Sequence, residues 1–250
     1  MMTDRLSGGA SELRALHVPG APLILPNVWD AASARAVQEA GFPAVATGSA
    51  AVARVLGYPD GEGTPVGEMM AAVARVVRAV DVPVTADVER GYGLKPAELV
   101  ERLAATGAVG CNLEDSVPGR GELVDPGEQA DFLAEVRAAA GDALVINARV
   151  DVYLHGRATR EEALERGRRY LEAGADCVYP ILLADEDEIR ALTGELGGPV
   201  NILFRPGAPD LGRLAELGVA RISFGGGLHQ AAHAYAEGLF AKVREGRTPY

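Results

Sequence analysis

Pro83-Val84-Thr85-Ala86-Asp87-Val88-Glu89-Arg90-Gly91-Tyr92-Gly93 opens as a short apolar strand and closes on two acids and a glycine turn. Side chains alternate along a strand, so Asp87 and Glu89 point the same way if the strand persists to residue 89. Carboxylates facing one way repel each other, and a hard divalent cation with oxygen ligands relieves that repulsion. An isolated D-x-E is more often a solvated acidic turn. The layout of the flanking chain decides between the two.

On either side of this stretch one unit recurs. Leu23–Asn27 is an apolar run, Asp30 is placed to cap a helix over 31–40, Gly41 stops it, and 43–47 is the next strand. The same punctuation returns at Thr106-Gly107-Ala108, Ala173-Gly174-Ala175 and Leu217-Gly218-Val219, with glycine at the left-handed position that closes a helix. Strands are expected at 23–27, 43–47, 83–87, 109–114, 143–149, 176–180, 199–203 and 220–224. Helices are expected near 30–40, 65–80, 95–106, 126–140, 159–173, 185–196, 209–217 and 228–243. This alternation predicts an α/β fold of the (β/α)8 TIM-barrel type in a single domain, residues 23–250. Residues 1–22 form an N-terminal lead-in with a short helical piece at 11–16. A doubly wound sheet is the alternative, but no G-x-G-x-x-G follows the first strand.

With 250 residues, 48% of them hydrophobic, the chain can bury one large core. Its net charge of −11 argues against nucleic acid and anionic membrane as partners. No apolar run reaches membrane-spanning length, and the N-terminus lacks a signal-peptide pattern. Cys111 and Cys177 lie in apolar strand-like stretches, so a reducing cytoplasm is expected. Cys111 has parity opposite to Glu114 and is expected to pack outward; Cys177 is read the same way.

Barrel chemistry sits at the carboxyl ends of the strands. Those ends carry Asn27, Gly48-Ser49, Asp87 with Glu89, Asn112 with Glu114-Asp115, Asn147 with Arg149 and Asp151, Tyr179, Asn201 with Arg205, and Ser223. Together they predict a metal-and-anion site, with Asp87, Glu89 and Glu114 serving the metal. Arg149 ends an apolar strand, and its planar fork suits a carboxylate or phosphate; a salt bridge with Asp87, Glu114 or Asp151 is compatible with that role. Backbone N–H groups at Gly48, Ser49 and Ala50 are placed to hold an oxyanion, at the start of a long loop, 48–63, that also carries Asp60. His229 and His233 lack a metal-binding motif, and Lys95 and Lys242 both lie off the strands, against a Schiff-base mechanism.

Five segments carry a resemblance: 33–42 (SARAVQEAGF), 56–60 (LGYPD), 87–93 (DVERGYG), 113–115 (LED) and 148–151 (ARVD). In this order the chain resembles the isocitrate lyase / phosphoenolpyruvate mutase superfamily over residues 20–225. The resemblance implies a barrel whose last helix is exchanged between subunits, in a homodimer or homotetramer. It implies Mg2+ (Mn2+ as the substitute) held by Asp87, with Glu89 and Glu114 acting largely through waters. Asp60 would lie near the metal or substrate. Arg149 and the 48–50 backbone would bind a small anionic keto acid or enolpyruvyl compound. Of the strand-end residues, Asp87 and Asn201 are read as further substrate contacts, and Arg149, Asp60 and Glu114 as catalytic residues, with Tyr92 a lesser candidate. The shared chemistry is a pyruvate enolate-type intermediate. The superfamily's lyases carry a Lys-Lys/Arg-Cys-Gly/Ser loop after the fourth strand; here residues 115–123 read DSVPGRGEL, without Lys or Cys. From the retained acids and Arg149 the reading is a Mg2+-dependent lyase of 2-oxo or 2-hydroxy acids. The alternatives are a carboxyphosphonoenolpyruvate phosphonomutase-like transferase and a binding protein that has lost its proton donor.

Overall fold

The computed structural model describes residues 2–156 and 159–250. In chain order the elements are α1 (Met2–Ala15), β1 (Leu23–Leu25), β2 (Asn27–Val28), α2 (Ala31–Glu39), β3 (Val45–Thr47), α3 (Ser49–Leu56), α4 (Val66–Val77), β4 (Val84–Asp87), α5 (Pro96–Thr106) and β5 (Gly110–Leu113). There follow β6 (Ser116–Val117), β7 (Glu122–Leu123), α6 (Pro126–Ala140), β8 (Val145–Val150), α7 (Arg160–Glu172), β9 (Cys177–Pro180), α8 (Glu186–Glu195), β10 (Asn201–Leu203), α9 (Leu211–Glu216), β11 (Arg221–Ser223) and α10 (Gly227–Arg244).

β1 and β2 are one strand interrupted at Pro26, which has no N–H to give to a ladder. From β2 the parallel order runs β3, β4, β5, β8, β9; from β1 it runs β11, β10. A parallel bridge between Val178 and Val200 joins β9 to the start of β10, so the ring of eight parallel strands closes. Asn27 reinforces the seam: its Oδ1 accepts the Phe224 and Gly225 N–H groups at 2.8 Å each, and its Nδ2 donates to the Thr47 carbonyl. This member of the expected polar set holds the barrel together.

The lead-in is more helical than the 11–16 expected. α1 lies across the end where the strands begin, and its Leu6, Ala10 and Leu13 pack against Leu23, Leu25, Val109 and Val145. Arg14 reaches Asp176 at 2.7 Å beside Arg137, fastening the helix to that end. The 48–63 segment is also not one loop. Its first half is α3, whose period places Ala51, Val52 and Ala53 inside and whose end is closed by Gly57 at φ 89°. Residues 116–123 form a small antiparallel hairpin, β6 with β7.

Register sorts the interior of the ring. Asp87, Asn112, Asn147 and Cys177 are successive partners across β4, β5, β8 and β9, so they share the inward side. Cys111 packs outward among helix side chains, as expected. Cys177 does not: pairing with Asn147 turns it into the barrel. Arg221, with no exposed surface, spans the interior from β11 and donates to Asn112 Oδ1 at 3.2 Å, on the fourth strand of the ring.

Candidate active site

The carboxyl ends of the strands assemble an acidic mouth. Asp87 ends β4 because the next turn leaves the sheet, and its own N–H is held by Thr47 Oγ1 at 3.0 Å. Its Oδ2 accepts the Ser49 hydroxyl at 3.1 Å and the Ser49 N–H at 3.3 Å. Thus one of the three amides expected to hold a substrate oxyanion, at the start of α3 after Gly48 and before Ala50, is turned to Asp87. Asp60 lies close by; desolvation first, and the Asp87 charge second, push its carboxyl above the ordinary range.

Glu89 departs from the expected parity. β4 stops at Asp87, and Glu89 itself sits at φ 52°, so its side chain leaves the Asp87 face. Its Oε2 accepts the Glu62 N–H at 2.5 Å and its Oε1 the Tyr92 hydroxyl at 2.6 Å. Burial pushes its carboxyl up to about 7, against the pull of those hydrogen bonds. Glu89 is therefore a tie between the turn after β4 and the loop after α3, and Tyr92 is its partner.

Glu114 follows β5 and is buried. Burial pushes its carboxyl up to about 8; Arg149 opposes that, and Asp151, Asp87 and Glu89 add to it. Arg149, near the end of β8, pairs with Glu114 through Nη1 and grips Asp151 with Nε at 3.0 Å and Nη2 at 2.9 Å. Burial opposes the guanidinium charge, but Asp151 and Glu114 outweigh it and keep it protonated. Of the three partners expected for Arg149, Glu114 and Asp151 form salt bridges and Asp87 does not. The two bridges engage three of the five N–H groups on a guanidinium, leaving two.

Asp115 serves structure. Its Oδ1 takes the Asp151 N–H at 2.8 Å, and its Oδ2 takes the Tyr170 hydroxyl at 2.7 Å and Arg166 at 3.1 Å. Ser116 donates to Asp151 Oδ2 at 2.6 Å and meets His155 Nε2 at 3.1 Å, anchoring the base of the hairpin. Asn201, expected to touch substrate, is fully buried, and its amide is exchanged with Ser223 Oγ at 3.3 Å. It lies below the mouth, because position on a strand sets the face and not the depth.

Among the described residues no three His, Cys, Asp or Glu side chains are drawn together as a ready-made metal cluster. Asp87, Glu89 and Glu114 are each engaged by protein donors. Even so, the Asp87 charge adds to burial in raising the carboxyls of Asp60, Glu89 and Glu114, and Arg149 is the cation placed among them. An all-oxygen donor set with surplus negative charge fits a hard divalent cation.

A closed parallel barrel with acids and one arginine at the carboxyl ends of its strands defines an α/β-barrel protein with a charged mouth where barrel chemistry sits. The model of the family described as phosphoenolpyruvate phosphomutase matches residues 13–244. The chain belongs to that family, within the isocitrate lyase / phosphoenolpyruvate mutase superfamily. An uncharacterised protein of Mycobacterium tuberculosis is 38% identical over 88% of this chain and 85% of its own length. Oxaloacetate decarboxylase 2 of Pseudomonas putida is 31% identical over 88% of this chain and 74% of its own. A phosphonomutase candidate solved from Burkholderia cenocepacia J2315 is 42% identical, with a TM-score of 0.88 over 96% of this chain and 99% of its own.

Proposed function

We propose that the mouth binds Mg2+ or Mn2+ together with a small 2-oxo or 2-hydroxy acid, and cleaves or decarboxylates that acid through an enolate-type intermediate. The observation that carries this reading is the gathering of Asp60, Asp87, Glu89 and Glu114 at the strand ends around one buried arginine, Arg149. Asp87 would hold the cation, with Glu89 and Glu114 supporting it. The bound cation supplies positive charge to the oxyanion that develops as the bond breaks. Arg149, with two N–H groups to spare, orients the substrate carboxylate. Asp60 and Glu114, both biased toward holding a proton, are the groups placed to move one. The superfamily lyases' loop cysteine has no counterpart in the 116–123 hairpin.

A phosphorus-transferring reaction is the second reading, favoured by the phosphonomutase candidate that covers nearly the whole chain. Release of pyruvate from a C4 acid supports the first; turnover confined to phosphonates supports the second. The metal assignment is tested by titrating Mg2+ into wild type and Asp87→Ala by calorimetry. The reading expects binding in wild type and loss in the variant, and equal affinities would remove Asp87 from the metal site.

A further inference from the structure

Asn201, Leu203 and Arg205 alternate along one face of β10 and its continuation. The ladder runs past Leu203, because the Phe204 N–H donates to the Ser223 carbonyl at 2.7 Å. Asn201 faces the barrel interior, where it meets Ser223, so Arg205 emerges two steps higher on the same face, over the mouth. One N–H is used: Nη2 donates to the Leu182 carbonyl at 3.1 Å, in the loop after β9. Nε is buried and has no partner.

Among the described residues Arg205 makes no ion pair, in a chain with a net charge of −11. Its partly buried counterparts do: Arg14 and Arg137 pair with Asp176, Arg149 with Glu114 and Asp151, and Arg166 with Asp115. Arg221 is also without an acid partner, but it is sealed inside the barrel and meets no solvent. Arg205 is thus a guanidinium at the mouth with donors to spare and no protein carboxylate to take them.

β8 and β10 are separated by β9 alone, so the strands bearing Arg149 and Arg205 lie roughly 10 Å apart. Two long guanidinium side chains can close on the two ends of one short molecule across that gap. We propose that Arg205 determines specificity by binding a second anionic group of the substrate, opposite the carboxylate held by Arg149. This rests on the reading of the mouth as a metal-and-acid site. The ligand class is a dianion with an oxyanionic group at each end, the second being a carboxylate or a phosphonate.

The test is calorimetry with Mg2+ present, using paired probes: lactate against malate, and pyruvate against phosphonopyruvate. Wild type should bind at least one dianion about tenfold or more tighter than its parent mono-acid. The pair that shows the difference identifies the second group. Arg205→Met should abolish the preference, and Arg205→Lys should retain part of it, with thermal melting confirming that both fold. An undiminished preference in Arg205→Met overturns the proposal. So does a loss of mono-acid and dianion in equal proportion, which would make Arg205 a prop for the Leu182 turn. If wild type binds Mg2+ and mono-acids without preferring dianions, only the Arg205 assignment falls. If it binds none of the acids, the reading of the mouth falls and takes the assignment with it.

Discussion

Glu62 Oε1 accepts the backbone N–H of Tyr92 at 2.6 Å while the N–H of Glu62 itself goes to Glu89. This double clamp fixes the loop that carries Asp60 against the turn that follows Asp87. Glu62, Glu89 and Tyr92 all have positive φ, at 61°, 52° and 58°, so each sits where a non-glycine residue needs local support. Glu62→Ala removes the side-chain half of the clamp and should lower stability by about 1–2 kcal/mol and weaken acid binding. Glu62→Gln keeps an acceptor and should lie near wild type. Urea unfolding alongside calorimetry checks both, and an Ala variant with unchanged acid affinity would confine Glu62 to stability.

Arg149→Lys keeps the charge and loses the fork. Oxalate binding in the presence of Mg2+ should weaken by about 1–3 kcal/mol, while Mg2+ affinity without oxalate should change much less. Wild-type oxalate affinity in the variant would leave Arg149 a structural partner of Glu114 and Asp151. Joint loss of metal and oxalate would show that it holds the acidic cluster in place.

The strand ends disclosed much of this. Asp87, Glu114 and Arg149 were legible because each closes or follows an apolar run, and alternation then gives their face. Glu89 was misread for the same reason: alternation was extended past Asp87, where the backbone turns left-handed. Glu62 could not be singled out, since an acid in a Gly-rich loop reveals nothing of a partner 30 residues away. Cys177 shows that an apolar context does not settle which face a residue takes, Asn201 that strand position does not report depth, and Arg221 that a buried cation can occupy a short barrel strand. α3 went unread because it is 8 residues long and starts from Gly48 with no side-chain cap. Gly8 and Gly9 masked the true length of α1.

α10 is 18 residues long, and His229, against the Trp29 ring at 4.9 Å, is its one residue buried within the chain. Tyr235 and Phe240 are 72% and 70% exposed, and Leu228 and Val243 are also exposed. We infer that this face is covered by a second copy of the chain in a homo-oligomer, through helix exchange. Truncation after Gly225 should give a dissociated or poorly soluble protein in light scattering. A truncated chain that elutes as the intact oligomer would contradict the inference.

His17 lies against the barrel end with its Nδ1 on the Leu13 carbonyl at 2.8 Å. Burial first, and the Arg221 charge second, lower its pKa from 6.5 to about 4. The folded protein therefore keeps His17 neutral where the unfolded chain protonates it. Stability should be complete above pH 6.5 and fall as the pH drops toward 4, by up to ~1.4 kcal/mol per unit from this group. Urea midpoints of wild type and His17→Asn across that window check it. A variant that retains the full acid sensitivity of wild type would clear His17 of the effect.

The reach of Arg221 from the eighth strand of the ring to Asn112 on the fourth is a strut across a diameter. Neighbouring strands are joined by their ladders, but this tie joins staves that never touch. Neither half of the ring is then self-sufficient: a fragment ending after the fourth strand loses the donor, and the complementary fragment carries a charged rod with nothing to meet. The two halves thus carry opposite ends of one tie, a donor on one and an acceptor on the other, and are not interchangeable.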